Sequence, residues 1–299
     1  VYEQYPGMRP NDYHIWMSTT KTAASLMVRL LEDEGLIDVS RSVPSYLPWL
    51  EGTDWETVKV SDALDMKSGL NILEDRATRV DPGSIANRMI LSNGGLPFNG
   101  KVETLEEVIS SAKRLIPPGQ AYEYSSINTL ILGYIAEAVT GRRWNDLFHE
   151  RVWSKMGVEG DMIMGVNPAG LAMVHGEANT RLRDMARFGM LYSPSWNKVA
   201  RERIVPESHI RQLSAGGDPV SFKNGGADIK YGEMFGDDTV TSNHYQWDVI
   251  FADGDFHKNG QQGQGIYVSP SKDVVVGYFS TKAVYQVPGY ARAIAKTLR

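Results

Sequence analysis

The chain has 299 residues, of which 42% are hydrophobic and 22% charged, with a formal net charge of −5. That length buries a large core and allows two subdomains, while a mildly acidic balance with no basic block argues against a nucleic-acid partner. With no cysteine there are no disulfides and no thiol chemistry, and the six histidines are scattered, with no His-Glu-x-x-His pair to suggest a metal. No apolar run reaches the ~20 residues of a membrane-spanning helix, and no Gly-x-x-x-x-Gly-Lys phosphate loop is present, so neither a membrane span nor a cofactor is expected.

In chain order, Ser18-Thr-Thr-Lys21 heads the first strong helical signal. Ala23, Leu26, Met27, Leu30 and Leu31 recur at helical spacing, and Gly35 predicts the stop. A serine and a lysine three apart share a helix face. An amine beside a hydroxyl can activate a weak nucleophile, and a helix N-terminus favours developing negative charge. The plain alternative is a capping serine with a solvated lysine. Ser-x-x-Lys recurs at Ser110/Lys113 and Ser269/Lys272, and both of those copies read as solvated surface. The stretch 84–100, broken by Gly-Gly and Pro, reads as loop amid helices.

Pro118-Gly119 predicts a tight turn that delivers Tyr124-Ser125-Ser126 to an apolar helix ending near Thr140-Gly141. Tyr124 is either an aromatic plug on a helix end or a phenol that shuttles a proton. A phenol ordinarily titrates near about 10, so a base role near neutral pH needs cationic neighbours. Past Leu171 come a helix and a variable Gly- and Asp-rich stretch from 216 to 238, with Lys223-Asn-Gly read as loop. Tyr245, Trp247, Val249 and Phe251 then alternate like a strand. Lys258-Asn259-Gly260 precedes two further apolar runs joined by a Ser-Pro-Ser-Lys turn, and 289–299 reads as a terminal helix. Helices with an antiparallel sheet make an α+β fold.

Together, Ser18-Thr-Thr-Lys21, Tyr124-Ser-Ser126 and Lys258-Asn-Gly260 resemble, in order, the signature of the serine β-lactamase and penicillin-binding-protein superfamily. The tyrosine version is similar to the class C branch, with its carboxylesterase and 6-aminohexanoate-oligomer hydrolase relatives. The segments 58–70, Arg183 to Gly189 and Arg203 to Pro206 fit the same pattern. The resemblance implies an antiparallel sheet flanked by helices, from residues 1–17 and 171–299, and a mostly helical lobe from 18–170. It implies a cleft between them and slightly favours a periplasmic or secreted setting, with a cytoplasmic one the alternative.

The resemblance also implies the chemistry. Ser18 is the expected nucleophile, with Lys21 and Tyr124 as acid–base partners. Lys21 acts either as a neutral base or as a cation that holds Tyr124 as phenolate. Ser126, Lys258, Asn259, Gly260 and Gln261 are the expected substrate-binding and oxyanion residues. Lys258 would position a substrate carboxylate or stabilise Tyr124. The glycines at 260, 263 and 265 would let substrate approach a strand edge. Trp16, Trp49, Trp55, Tyr122, Trp144 and Trp247 are candidates for an aromatic acyl pocket.

The expected substrate is a small ester or amide. A β-lactamase or D,D-peptidase is the alternative, and a silent sensor or binding protein the alternative from another class. Ser126 stands where β-lactamases carry an asparagine that orients the acylamino group, and Asn259 where Thr or Ser is usual. Only 17 residues precede Ser18, so an upstream segment or a second chain is expected to complete the sheet, burying Tyr2, Tyr5, Ile15 and Trp16.

Overall fold

The computed structural model describes residues 2, 7–236, 238–282 and 286–298. Its helices are α1 (Lys21–Asp33), α2 (Val60–Leu64), α3 (Arg76–Val80), α4 (Ile85–Asn93), α5 (Leu105–Ser110), α6 (Ser126–Thr140) and α7 (Trp144–Arg151). After these come α8 (Leu182–Met190), α9 (Glu207–Ala215), α10 (Pro219–Asn224), α11 (Ala227–Phe235) and α12 (Val287–Thr297). α1 and α6 pack together at the centre. From Lys21 to Val28 every residue of α1 is buried, and so is almost every residue of α6 from Ser126 to Ala136. That burial explains why α6 reads as apolar on all sides. It ends at Gly141, whose φ of 65° is the left-handed cap that glycine supplies without a Cβ clash.

The strands form two antiparallel sheets. β1 (His14–Ile15), β2 (Ile163–Met164) and β3 (Ala178–Thr180) make a small one in the order β1-β3-β2. β4 (Val240–His244), β5 (Trp247–Phe251), β6 (Phe256–Gly260), β7 (Gln264–Ser269) and β8 (Val274–Tyr278) make a five-stranded meander in sequence order. Successive side chains of a strand face opposite ways. On β7, Ile266 and Val268 join the main core with Leu26, Ile131 and Phe188, while Tyr267 joins a second cluster with Phe235, Ala291 and Ala295. Both faces of the meander are therefore covered, which is why β7 is buried at all six positions. Gly189 lets α8 lie close on the sheet: a Cβ there would come within 2.6 Å of Val275 and 2.7 Å of Ile266.

Several expectations are corrected. The stretch from 84 holds helix α4, capped by Ser84 on Asn87 N. The Gly- and Asp-rich stretch carries two helices, so Lys223 is an exposed helical residue and not loop. Asp218 caps α10 with Pro219 at the first turn, and Phe222, Tyr231 and Phe235 anchor both helices in the second cluster. Ser269 is fully buried at the end of β7, because the sheet is covered on both faces, and Lys272 donates to the Ala295 carbonyl. Tyr245 lies in the turn before β5, with φ of 44°. Trp16 is already buried within this chain, beside Phe188, whereas Tyr2 is exposed, Ile15 is half-buried and Tyr5 lies outside the described residues; an upstream segment or second chain over this edge remains a proposal.

Candidate active site

Ser18 sits in a 3-10 turn, Met17–Thr20, that runs directly into α1, and is not the helix cap itself. Two strands hold the turn. From β3, Ala178 O accepts Trp16 N at 2.7 Å and Thr180 Oγ1 accepts Trp16 Nε1 at 2.7 Å. From β6, Gly260 comes so close that a Cβ would lie 2.5 Å from Trp16 O. Met17 takes φ of 49°, a conformation that costs a non-glycine residue on the order of 1–3 kcal/mol and survives only where its surroundings impose it. The fully buried Trp16 is that surrounding.

Lys21 Nζ lies 3.4 Å from Ser18 Oγ, 3.1 Å from Ser126 Oγ and 2.5 Å from the His175 carbonyl oxygen. Burial pushes its pKa down from 10.5 to about 7; Glu74 opposes the shift, Lys258 adds to it, Asp248 opposes it and Arg79 adds to it. A depression of this size corresponds to roughly 5 kcal/mol against the charged form. So strong a depression brings the neutral amine, with its lone pair beside Ser18, within reach near neutral pH.

Tyr124 is bounded by the ammonium groups of Lys258, Lys21 and Lys230, at 5.0, 5.2 and 5.4 Å from its ring centroid. Its pKa is nonetheless raised well above 10, by burial first and then by Asp248 and Glu74; a hydrogen bond with Ser18 pulls the other way. Burial outweighs the cations, and Asp248 adds to it. Asp248 pairs with Lys258 Nζ and accepts Asn259 N at 3.0 Å, so Lys258 is not a free charge. Tyr124 is a neutral phenol at physiological pH.

A cleft of about 550 Å³ opens onto Ser18 and Tyr124. Asn259 and Gln261 line it, as do Glu74, Asp75, Arg76, Arg79, Lys230, Tyr231, Met234 and Asp248. Ser126, Lys258 and Gly260 are not on the wall: the first two point at Lys21 and Asp248, and the third meets the Ser18 turn. The room that Gly260 and Gly265 leave is filled by protein, not by an approaching substrate. Gly260 meets Trp16 O, and a Cβ on Gly265 would lie 2.2 Å from the Tyr278 hydroxyl. Trp16, Trp55, Trp144 and Trp247 are core residues, Trp49 packs on Tyr134, and Tyr122 is buried with its hydroxyl on that of Tyr231. The aromatic wall is Tyr124 with Tyr231.

Glu74, Asp248, Lys230 and Tyr231 escaped the sequence reading. Asp248 carried a signal, as the one acid in the apolar run Trp247–Phe251, where an acid is buried only if paired. Glu74 lies in a charged run, Glu-Asp-Arg, that reads as solvated. Among the described residues no group of three or more His, Asp or Glu is placed to hold a metal, and no helix is long and apolar enough to cross a membrane.

Comparison with known proteins agrees with this architecture. The chain is 27% identical over 271 residues to 6-aminohexanoate-dimer hydrolase from Paenarthrobacter ureafaciens, covering 90% of this chain and 66% of that protein. The solved structure of a candidate 6-aminohexanoate-dimer hydrolase from Bacillus anthracis superposes with TM-score 0.78 at 21% identity, over 99% of this chain and 74% of that one. EstCE1, a hydrolase with promiscuous acyltransferase activity, superposes with TM-score 0.71 at 12% identity, over 97% and 85%. The chain thus spans about two thirds of the length of this curated relative. The model of the family described as Beta-lactamase matches residues 1–298, and with its sheet, helices and relatives in accord, the chain belongs to the Beta-lactamase family of hydrolases.

Proposed function

We propose that this protein is a serine hydrolase that cleaves a small ester or amide through an acyl-enzyme on Ser18. The observation that carries the reading is a buried lysine, pushed to a pKa of about 7, beside the Ser18 hydroxyl. Neutral Lys21 takes the Ser18 proton as Oγ attacks the carbonyl carbon. The Ser18 N–H and the Gln261 N–H receive the oxyanion. Tyr124, held as a phenol, gives its proton to the departing alkoxide or amine and regains one from the Lys21 ammonium. Water then attacks the acyl group by the same relay in reverse, releasing the acid and restoring Ser18. Lys258, already paired with Asp248, keeps positive charge near Tyr124 and is not a free carboxylate anchor.

An amide substrate is supported by the relative named for hydrolysing the 6-aminohexanoate dimer. A β-lactam is less well served, because the Ser126 hydroxyl is committed to Lys21 and Glu74 and offers no amide to an acylamino group. The test is a tagged fluorophosphonate with mass mapping of the labelled peptide. Label is expected on the Ser18 peptide, and Ser18→Ala is expected to abolish it. Undiminished labelling of Ser18→Ala sinks the reading. Pre-steady-state hydrolysis of an aryl ester separates the classes: turnover marks an enzyme, a single burst marks a sensor, and no burst marks a silent binder.

A further inference from the structure

Glu74 is a carboxylate with only 7% of its side chain exposed, and it has no part in the acyl-transfer steps above. Its Oε2 accepts two hydrogen bonds from one residue, Ser126 N at 3.1 Å and Ser126 Oγ at 2.7 Å. The second of these commits the single hydroxyl proton of Ser126. Ser126 Oγ is also 3.1 Å from Lys21 Nζ, and toward Lys21 it can then only accept.

The other contacts of Lys21 complete the constraint. The His175 carbonyl oxygen can only accept. A neutral amine has two N–H bonds and one lone pair. With both N–H bonds drawn to Ser126 and His175, the lone pair is left facing Ser18 Oγ. When Lys21 becomes an ammonium, its third N–H lies where the lone pair was, and the other two bonds need not move. Were Ser126 free to turn, its hydroxyl would donate to the same lone pair and compete with Ser18.

We propose that Glu74 is a positioning residue for the proton transfer: it polarises Ser126 so that the base Lys21 keeps its lone pair aimed at the Ser18 hydroxyl. This rests on the reading of Ser18 and Lys21 given above. Arg79 Nη2, 3.3 Å from Glu74 Oε1, holds the other carboxylate oxygen. Burial works against ionisation of Glu74, but Lys21, the Ser126 hydroxyl, Arg79 and His175 together keep it a carboxylate. The charged and titratable groups facing Lys21 are Glu74, Asp248, Lys258, Arg79 and Tyr124, with His175 behind it.

The experiment follows the rate of fluorophosphonate labelling at Ser18 from pH 5 to 9, with thermal melts to verify folding. Wild type, Glu74→Gln, Ser126→Ala, Ser126→Thr and the Glu74→Gln/Ser126→Ala double variant are compared. Glu74→Gln removes a negative charge that favours the Lys21 ammonium, so its acid limb moves to lower pH. Its neutral amide oxygen is a weaker acceptor than the carboxylate, so Ser126 is held less firmly and its hydroxyl competes for the Lys21 lone pair, and the plateau rate falls by about tenfold or more, as for a misaligned catalytic pair. Ser126→Ala loses a similar factor, Ser126→Thr keeps the plateau, and the double variant is no slower than Ser126→Ala. A packing role would lower the melting temperature without moving the limb.

A wild-type plateau in Glu74→Gln, an unshifted limb, or losses that multiply in the double variant overturns the proposal. If Glu74→Gln does not fold, the serine variants decide: a wild-type plateau in Ser126→Ala, or no rescue by Ser126→Thr, overturns it. Wild-type protein that takes no label at Ser18 overturns the nucleophile as well. Labelled wild type with an unresponsive Glu74→Gln overturns the role of Glu74 alone.

Discussion

At the scale of single residues, the site depends on which of two neighbouring groups is neutral. Lys21 is fully buried and Tyr124 half-buried at the edge of the cleft, and burial disfavours the charged form of each. In the proposed mechanism that makes the lysine an accessible base and the tyrosine a persistent acid. The sign of the pH dependence follows. Lys21 must be unprotonated to accept the Ser18 proton, so kcat/KM for an aryl ester rises with pH through a midpoint near 7 and then levels. No fall from Tyr124 ionisation is expected below its ordinary range. A rising limb centred two or more pH units higher disproves Lys21 as the base. Lys21→Ala and Tyr124→Phe are each expected to slow the chemical step by at least about a hundredfold while leaving the melt intact, the range for losing an acid–base group. Near-full ester hydrolysis by Tyr124→Phe would reduce that ring to packing. Ser18-x-x-Lys21 and Tyr124-Ser-Ser126 were legible because each is a short run with its own local spacing, and the two stand in the order the family signature requires. Glu74 was not, because its partner Ser126 is 52 residues away.

At the scale of elements, position is set where two pieces of backbone touch. The Ser18 turn and β6 meet at Gly260, so Gly260→Ala is a sharp test. The added Cβ would lie 2.5 Å from Trp16 O and 3.1 Å from Thr19 Oγ1, and the strand must retreat. A loss on the order of 1–3 kcal/mol of stability is expected, with a larger proportional loss of Ser18 labelling; wild-type labelling and melting would show that the contact does not matter. The β4–β5 turn carries a different lesson. Tyr245 and Gln246 both take positive φ without a glycine or asparagine to mark the turn. They are held from outside: Gln246 Nε2 donates to the Ala63 and Leu64 carbonyls, Thr129 donates to Gln246 Oε1, and Asp65 accepts Tyr245 N. α11 was illegible for a related reason. Glycines at 225, 226 and 232 weaken its helical signal, and it stands because Tyr231 and Phe235 find Tyr122, Phe222 and Phe251.

At the scale of the whole molecule, one main core joins Leu26 and Ile131 of the central helices to Phe188, Trp247 and Ile266 on and beside the sheet. A division into residues 18–170 and the rest therefore separates kinds of element and not separate cores; as folding units the two lobes remain a proposal. In the proposed mechanism, substrate enters the cleft between Ser18, α3, α11 and the sheet, and that cleft sets its preference. Short-chain aryl esters are expected to be hydrolysed with greater kcat/KM than penicillins or cephalosporins. The Ser126 hydroxyl is already engaged, and an ester needs less protonation of its leaving group than an amide. Nitrocefin turnover that exceeds the best aryl ester reverses the preference.

The sequence by itself determined the family, the α+β class, the central helices α1 and α6 and the order of the Ser18, Tyr124 and Lys258 motifs. Each is written in local spacing, helical or strand periodicity, or a short run of residue types. Tertiary structure alone decided which charges are neutral and which are paired. Burial of Lys21 and Tyr124, the Asp248–Lys258 pair and the Glu74–Ser126–Lys21 chain all join segments far apart in sequence. It also decided that the tryptophans fill the core while α11 supplies Lys230 and Tyr231 to the cleft. A side chain's pKa and its exposure belong to its surroundings, and those exist only once the chain has folded.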